Sequence, residues 1–455
     1  MNALSGAIDV IDEKTAKILE RSDDSWFVPI EIDGELRETL TARGYLYRSE
    51  FEEGEVLKKI AKDHDEKAHK IPGRFIFIVT YACNLRCSYC FQGEFMRNNR
   101  IMTSSMVDKA FDAISEVSER NGGSVPEICL FGGEPLMATR HQKEIVKKIL
   151  EDCESKHYPV RVITNGVELE YFLDLITRFD VKNLQVTLDG PKEVHDRRRM
   201  FSNGKGSFCK IVRGIDLALR NNLRIELHVN VDSDNIRYLP DLADFIVKKG
   251  WLETGQFTPY ITTVKNFGCG DYRSCITECE LLSELYKMLV NKTQLRIFVV
   301  PGGYVKLSDG QYSSSPLPGG YGINCIMSLL AHGKIPPPRI KNCGAQINSF
   351  AFDPCGYVYT CGQISGRKEF SVGSYYPKLA LDERKLIEWR NRSVLTVREC
   401  KSCRMSLICG GGCAAAALSK SGNLYCPQCT QVEENLKFGI GLFLDDIKKV
   451  FQEIA

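Results

Sequence analysis

Residues 75–91 read FIFIVTYACNLRCSYCF, an apolar run that leads directly into Cys83, Cys87 and Cys90. The apolar run predicts a buried strand over residues 75–80, and the three thiols that follow have the spacing CxxxCxxC. A structural zinc site or a plain electron-transfer cluster takes four protein ligands, so a compact loop with three leaves one metal position open. An open position indicates catalysis. Half of a cysteine-rich zinc site, or a set of incidental thiols, is the alternative.

With Tyr89 before the third cysteine and Phe91 after it, this loop resembles that of the radical S-adenosylmethionine (SAM) superfamily. The resemblance implies that Cys83, Cys87 and Cys90 hold a [4Fe–4S] cluster whose fourth iron binds the amino and carboxylate groups of SAM, with Phe91 at the cofactor. It also implies that one electron cleaves SAM to methionine and a 5′-deoxyadenosyl radical, which takes a hydrogen atom from a substrate carbon. The cofactors carry that chemistry, and the protein places them and excludes water.

Composition limits the remaining possibilities. A chain of 455 residues with 43% hydrophobic and 26% charged residues is ordinary for a globular protein of two or three domains. A net charge of +2 implies no polyanionic partner, so we expect no nucleic acid. The apolar runs are too short to span a membrane, and the start of the chain lacks the layout of a signal peptide. We therefore expect a cytoplasmic protein, in which 19 cysteines serve metals or clusters rather than disulfides.

Strand and helix patterns alternate from about residue 71 to residue 300. After the strand at 75–80, Thr103 is placed to cap a helix with one apolar face, and further strands are predicted at 127–131, 160–164, 183–188, 224–231 and 256–261. Six such units specify an α/β fold with a parallel sheet, which right-handed crossovers curl into a partial (β/α)6 barrel. Function collects at the carboxyl ends of the strands in such barrels.

Short polar motifs follow the second, third and fourth predicted strands. The first is FGGEP, in which Gly132 and Gly133 allow close approach of the backbone to a ligand and Glu134 can accept a hydrogen bond from an ammonium group. Each motif alone is explained as a turn between strand and helix. Because these motifs follow CxxxCxxC along the chain, they also fit the resemblance. It implies that FGGEP contacts the SAM amino group, that Asp189 binds the ribose hydroxyls, and that Asn165 and Thr187 make further contacts with SAM.

The sequence continues with HDRRR at 195–199 and GKGSF at 204–208. This resembles a stretch of radical SAM enzymes that act on proteins and peptides, in which an Arg neutralises the SAM carboxylate. The resemblance points to Arg198, with His195 nearby. A solvated basic face is the alternative.

Ten cysteines crowd into residues 325–429, and their spacing resembles the SPASM domain, predicted here over residues 301–432. The resemblance implies two auxiliary [4Fe–4S] clusters. It assigns to the first Cys343, Cys361 and Cys413, and to the second Cys400, Cys403, Cys409 and Cys429. Gly410, Gly411 and Gly412 would let the loop wrap a bulky cluster. Two zinc sites of zinc-ribbon type are the structural alternative.

Several cysteines stay ambiguous. Cys325 is our candidate for the fourth ligand of the first auxiliary cluster, and an open iron site that binds substrate is the alternative. Cys355 and Cys426 lie beside motif positions. The spacing of Cys269, Cys275 and Cys279 suits a cluster, but no second motif supports one. Cys129 lies in an apolar strand and is expected in the core.

Residues 1–70 precede the barrel, and residues 433–455 are expected to form a C-terminal helix. A short strand at 7–12, helices at 13–20 and 35–43, and a strand at 45–47 resemble a small winged-helix unit for peptide recognition, although a plain cap is an equal alternative. The charged stretch 54–70 is expected to be a solvated helix and linker.

The resemblance implies a radical SAM enzyme that modifies a peptide or protein, with flavodoxin or ferredoxin as reductant. SPASM enzymes form thioether or carbon–carbon crosslinks in ribosomally made precursor peptides, or oxidise Cys or Ser to formylglycine in anaerobic sulfatases. Sulfatase maturases carry an acidic residue directly after the cysteine that corresponds to Cys361, where this chain has Gly362. We therefore expect a peptide maturase, with sulfatase maturation second. An iron–sulfur electron carrier or a zinc scaffold is the alternative outside this chemistry.

Overall fold

A computed structural model describes residues 1–22, 33–68, 70–96, 98–120, 122, 124–265, 272–298, 304–306, 312–314 and 320–454. The α-helices, numbered α1 to α16 in chain order, span Glu13–Ser22, Gly34–Ala42, Glu50–Ala68, Ser104–Arg120, Arg140–Ser155, Leu169–Ile176, Lys192–Arg198, Phe208–Arg220, Leu239–Lys248, Glu278–Leu289, Gly320–His332, Glu383–Asn391, Ser406–Cys409, Ala414–Ser421, Val432–Leu442 and Leu444–Ile454. The strands, β1 to β14, span Arg74–Ile78, Leu85–Cys87, Glu127–Phe131, Val160–Thr164, Val181–Thr187, Arg199–Phe201, Ile225–Val231, Phe257–Thr263, Tyr304–Lys306, Tyr312–Ser314, Ser349–Phe352, Tyr357–Tyr359, Gly373–Ser374 and Ala380–Leu381.

One sheet of ten strands dominates the described structure, in the order β14-β13-β12-β11-β1-β3-β4-β5-β7-β8. The six strands from β1 to β8 in this order pair in parallel, as the six predicted strand and helix units require. The predicted strands agree with the observed ones to within two residues at each end. The α/β class and the partial barrel are thereby confirmed.

Apolar side chains place the helices against this sheet. Thr103 accepts a hydrogen bond from the Met106 amide (3.2 Å) and so caps α4 as predicted. The apolar face of α4 is buried, and the core also contains Phe77 and Ile78 of β1 and the thiol of Cys129 on β3. Every second residue of β4, β7 and β8 is buried, so one face of these strands lies in the core and the other face is only partly buried.

The C-terminal region joins the barrel through β11, which pairs in parallel with β1. Strands β12, β13 and β14 extend the sheet as antiparallel neighbours. Buried Asp353, directly after β11, reinforces this junction. Its carboxylate accepts hydrogen bonds from the Tyr81 hydroxyl (3.0 Å) and from the Cys355 amide (2.9 Å). The strand that leads into the CxxxCxxC loop therefore also anchors the cysteine-rich region.

The N-terminal segment differs from the expectation. Helices α1 and α2 form as predicted, but the described residues 7–12 and 45–47 are not strands, and the Asn2 side chain instead donates to the Gly44 carbonyl (2.7 Å). A strand requires a hydrogen-bonded neighbour, which these stretches lack within the described part of the chain. The stretch 54–70 is also more than a solvated linker, because Leu57 and Ile60 of α3 pack against an apolar cluster that includes Cys400.

In the described part of the chain, none of the helices has both the length and the apolar character needed to cross a bilayer. The expected C-terminal helix over 433–455 is present as two consecutive helices, α15 and α16.

Candidate active site and cysteine sets

The CxxxCxxC loop lies at the carboxyl end of β1 and includes β2, which pairs antiparallel with β6. Within the loop, the thiol of Cys83 interacts electrostatically with those of Cys87 and Cys90. Burial, with the charges of Glu134, Cys87 and Cys90, raises the pKa of the Cys83 thiol to about 12. Asn165 after β4 donates from Nδ2 to the Cys83 sulfur (3.7 Å) and to Asn84 Oδ1 (2.7 Å).

The glycines of FGGEP lie directly on the backbone before Cys83. The Gly133 amide donates to the Thr80 carbonyl (2.8 Å), and the Glu134 amide donates to the Ala82 carbonyl (2.9 Å). A Cβ at Gly133 would lie 2.2 Å from the Ala82 carbonyl oxygen, so only glycine fits. The structure therefore uses this position for close contact between two backbone segments at the site.

The carboxylate of Glu134 is held by three hydrogen-bond donors of the protein. It accepts hydrogen bonds from the Thr164 hydroxyl (2.5 Å), the Asn165 amide (2.6 Å) and the Leu136 amide (2.8 Å). Burial nevertheless raises its pKa to about 7. Glu134 thus ties the end of β3 to the end of β4, and its predicted contact with SAM stays a prediction.

Aromatic and polar residues surround the loop on its other sides. The Phe91 ring stacks on Phe131 with ring centroids 6.4 Å apart. Thr187 is buried at the end of β5. Its strand continues into Asp189, so the predicted SAM contacts lie at neighbouring strand ends.

Asp189 lies in a buried polar network beneath the cysteine loop. Its carboxylate accepts hydrogen bonds from the Tyr89 hydroxyl and from the Asn230 amide (3.0 Å). Burial alone would raise the pKa of Asp189, but the nearby arginines hold it below its ordinary value. Arg198 contacts the ring of Tyr89 (5.0 Å) and pairs with Asp232 (2.7 Å). Asp189 and Arg198 are therefore engaged by protein groups, and their SAM contacts stay predictions.

Sequence reasoning missed Arg199. This fully buried residue begins β6 opposite Cys87, and its Nη1 donates to the Tyr89 hydroxyl (2.7 Å). Its buried Nε has no hydrogen-bond partner among the described residues. Burial opposes its charge, yet the thiol of Cys87 and the neighbouring Tyr89 and Asp189 raise its pKa well above the ordinary value. An anionic cluster at Cys87 fits this donor. Because residues 197–199 are all arginines, the sequence offers no reason to choose Arg199 rather than Arg198.

His195 proves to be a positioning residue rather than a surface base. Its Nδ1 accepts a hydrogen bond from the Asp189 amide (3.2 Å), and its Nε2 donates to the Ser207 hydroxyl (3.0 Å). Ser207 in turn donates to the Arg199 carbonyl (2.5 Å). The imidazole therefore joins the turn after β5 to the start of β6.

The neutral state of His195 predicts acid sensitivity. Burial and the Arg199 charge lower its pKa from 6.5 to about 3. Between these values the unfolded chain binds a proton that the folded chain does not. The free energy of unfolding therefore falls as pH decreases below 6.5, by up to about 1.4 kcal/mol per unit.

His195→Gln can retain the donor toward Ser207 without titrating, so urea denaturation at pH 7.5 and 5.5 should show a smaller loss of stability than in wild type. An equal loss in both proteins would contradict this role.

The C-terminal cysteines fall into two sets in the structure. Cys343, Cys361 and Cys413 interact electrostatically with one another. A second group of mutual interactions comprises Cys400, Cys403, Cys409 and Cys429. Across the described ranges, no three His, Cys, Asp or Glu side chains converge closely enough to ligate a single metal ion. The thiols of each set therefore interact at separations wider than those of ligands around one ion.

The remaining cysteines have other surroundings. Cys325 on α11 lies in an apolar cluster with Ile326 and Leu329, where burial raises its pKa to about 11. Burial and the charge of Arg339 act on the Cys325 thiol, and Cys343 is not among the groups that affect its pKa. Cys355 accepts a hydrogen bond from the Asn98 side chain (3.4 Å).

Cys275 is exposed, and Cys279 lies at the start of α10. Cys269 lies outside the described residues, so the three-cysteine spacing that includes it is not described as a unit.

Residues 77–246 match the family model described as the radical SAM superfamily. The chain contains a radical SAM domain. Such a domain binds a [4Fe–4S] cluster and SAM, so the predicted enzyme class and both kinds of cofactor are confirmed. Cys83, Cys87 and Cys90 lie inside the matched segment.

Relatives of the radical SAM enzyme include two kinds of maturase. It is 28% identical to a cysteine-type anaerobic sulfatase-maturating enzyme of Clostridium novyi, over 40% of this chain and half of that protein. It is 24% identical to the mycofactocin maturase MftC of Mycobacterium ulcerans, over 74% of this chain and 82% of the relative.

Its fold is similar to that of Streptococcus suis SuiB bound to SAM, with a TM-score of 0.53 and 14% identity over 94% of this chain and 95% of that one.

Proposed function

We propose that this radical SAM enzyme modifies a ribosomally made precursor peptide by forming a thioether or carbon–carbon crosslink. The runner-up is the oxidation of Cys or Ser to formylglycine in a sulfatase. Both fit the relatives, which include sulfatase-maturating enzymes and a mycofactocin maturase. SuiB, whose fold is similar, has also been solved bound to its precursor peptide SuiA.

The surroundings of Gly362 favour crosslink formation over formylglycine formation. Gly362 is buried, and a Cβ there would lie 3.3 Å from the Phe131 ring and 3.6 Å from the Ile76 side chain. An acidic side chain would begin in this apolar contact, where burying a carboxylate without donors is costly. A carboxylate at the place where sulfatase maturases carry their acidic residue would therefore be disfavoured here, which supports the peptide maturase.

The chain's own residues have separable roles in this proposal. Cys83, Cys87 and Cys90 would ligate the cluster, and SAM bound there would supply the 5′-deoxyadenosyl radical. The glycines of FGGEP hold the end of β3 against the backbone before Cys83. Arg199 balances the negative charge beside Cys87.

A polar strip inside the barrel offers a surface to the substrate. His228 on β7 shares a strand face with Asn230, whose side chain reaches the Tyr89 hydroxyl of the cysteine loop (3.2 Å). His228 stacks on Tyr260 with ring centroids 4.8 Å apart and hydrogen-bonds to Thr262 (2.7 Å). Burial lowers its pKa to about 4, so the imidazole is neutral at pH 7. We propose that a peptide backbone contacts this strip.

The two C-terminal thiol sets are the proposed ligands of two auxiliary [4Fe–4S] clusters, which would bind substrate or take up an electron as the product forms. Cys325 is retained as the candidate fourth ligand of the first. The same proposal divides the chain into domains at residues 70, 300 and 432. It assigns leader-peptide binding to the first segment, and it takes flavodoxin or ferredoxin as the reductant. A cytoplasmic location fits because cluster thiols must stay reduced.

The test uses anaerobically reconstituted protein with dithionite, SAM and synthetic peptides. Wild type should release 5′-deoxyadenosine, and a precursor peptide encoded beside the enzyme should lose two hydrogen atoms in a mass-spectrometric assay. A sulfatase-derived Cys or Ser peptide serves as the matched comparison. Conversion of the sulfatase peptide alone would replace our proposal by the runner-up. No cleavage of SAM, with normal iron content, would exclude both reactions and favour the electron carrier.

A further inference from the structure

Arg392 is the largest fully buried side chain of the described structure, and it lies in the cysteine-rich region directly after α12. Its guanidinium donates hydrogen bonds only to backbone carbonyls among the described residues. The acceptors and distances are Leu424 (2.6 Å), Gly412 (3.0 Å), Gly411 (2.8 Å) and Cys426 (3.1 Å). These carbonyls belong to the loops that carry the last cysteines of both sets.

Among the described residues Arg392 forms no ion pair with a carboxylate, and the acceptors of its guanidinium are neutral carbonyls. A cation with neutral acceptors only is expensive to bury, since the attraction of an anion normally offsets its lost hydration. The ionisable groups near Arg392 are instead thiols from both sets. Cys413 and Cys343 come from the first set, and Cys400 and Cys409 come from the second.

Gly411 shows how close Arg392 lies to the sulfur of Cys400. A Cβ at Gly411 would lie 3.6 Å from Arg392 Nη1 and 3.7 Å from the Cys400 sulfur. The guanidinium and a proposed cluster ligand thus border the same small volume. A [4Fe–4S] cluster with thiolate ligands is anionic, and such a group fits the unpaired charge of Arg392.

We propose that Arg392 is a positioning residue shared by the two auxiliary clusters, and that its charge raises the reduction potentials of both. The inference rests on the proposed function, because it requires both clusters. Reduction adds one electron to each cluster from the external one-electron reductant and makes it more negative. A fixed cation beside both clusters stabilises the reduced forms, since opposite charges attract strongly where water is excluded.

The experiment is EPR-monitored redox titration of the full chain with Cys83, Cys87 and Cys90 changed to Ala, so that auxiliary clusters alone give signals. Arg392→Met removes the charge, Arg392→Lys keeps it, and Arg384→Met removes a charge from the exposed part of the same helix as a control. Iron, sulfide and Mössbauer analysis of wild type comes first. If wild type lacks two auxiliary clusters, the proposed function itself fails.

With both clusters present, Arg392→Met should shift each midpoint potential to more negative values by at least about 59 mV, a tenfold change for one electron. Arg392→Lys and Arg384→Met should stay close to the parent protein. Unchanged potentials in Arg392→Met, or a shift of one cluster alone, would overturn the shared role.

Arg392→Met can also lose its clusters, because four carbonyls lose a hydrogen-bond donor. In that case the iron content of the two Arg392 variants tests the proposal. Loading of both clusters in Arg392→Lys but not in Arg392→Met supports a requirement for charge. Failure of both variants to load would overturn the proposal, since the carbonyl hydrogen bonds would then explain the loss.

Discussion

Changing Cys83, Cys87 and Cys90 together to Ala should abolish the release of 5′-deoxyadenosine from SAM. It should also lower the iron content from about twelve to about eight per chain. Cys83 interacts electrostatically with Cys87 and Cys90, and Cys87 lies opposite the buried Arg199. The triple variant therefore removes every protein ligand proposed for this cluster.

Cys153→Ala is the control, because this buried thiol lies on α5 in the apolar core and has no part in the proposed cluster site. It should lose some stability through the cavity it leaves, while iron content and SAM cleavage stay at the wild-type level. Mössbauer spectra and 5′-deoxyadenosine assays measure both properties. About four irons with bound zinc in wild type would instead mean that the C-terminal cysteines are structural.

The barrel could be predicted from the sequence because its strands are determined by patterns among neighbouring residues. Stretches of five to seven residues with recurring apolar side chains become the parallel strands, and turn residues after them mark the strand ends where the site lies. The assignment of the C-terminal cysteines to two clusters stays a prediction from the resemblance.

Contacts between distant segments were not predictable. Arg199 meets Tyr89 across 110 residues of chain, and Arg392 meets Cys426 across 34. Neither has a spacing that distinguishes it from a surface arginine. The strands expected at 7–12 and 45–47 failed for the opposite reason, because an alternating pattern predicts a strand without providing its partner.

Gly412→Ala should remove an auxiliary cluster while the barrel stays folded. Gly412 has φ +71°, and a Cβ there would lie 2.0 Å from the Gln428 carbonyl oxygen. The side chain would push the segment that contains Cys429 away from Cys413. Left-handed backbone costs Ala roughly 1–2 kcal/mol, and overpacking adds roughly 1–3 kcal/mol. We expect iron to fall from about twelve to about eight.

Gly422→Ala separates the two causes of this loss. Gly422 has φ +67° at the end of α14, but nothing lies within 4 Å of the Cβ position, so this variant carries the backbone strain without the clash. It should keep all its iron and lose about 1 kcal/mol of stability, measured as a lower Tm. Full iron in Gly412→Ala would show that the Gly412 loop moves without disturbing a cluster. Equal iron loss in both variants would assign the effect to backbone strain, and the contact between Gly412 and Gln428 would then have no part in holding Cys429 at its cluster.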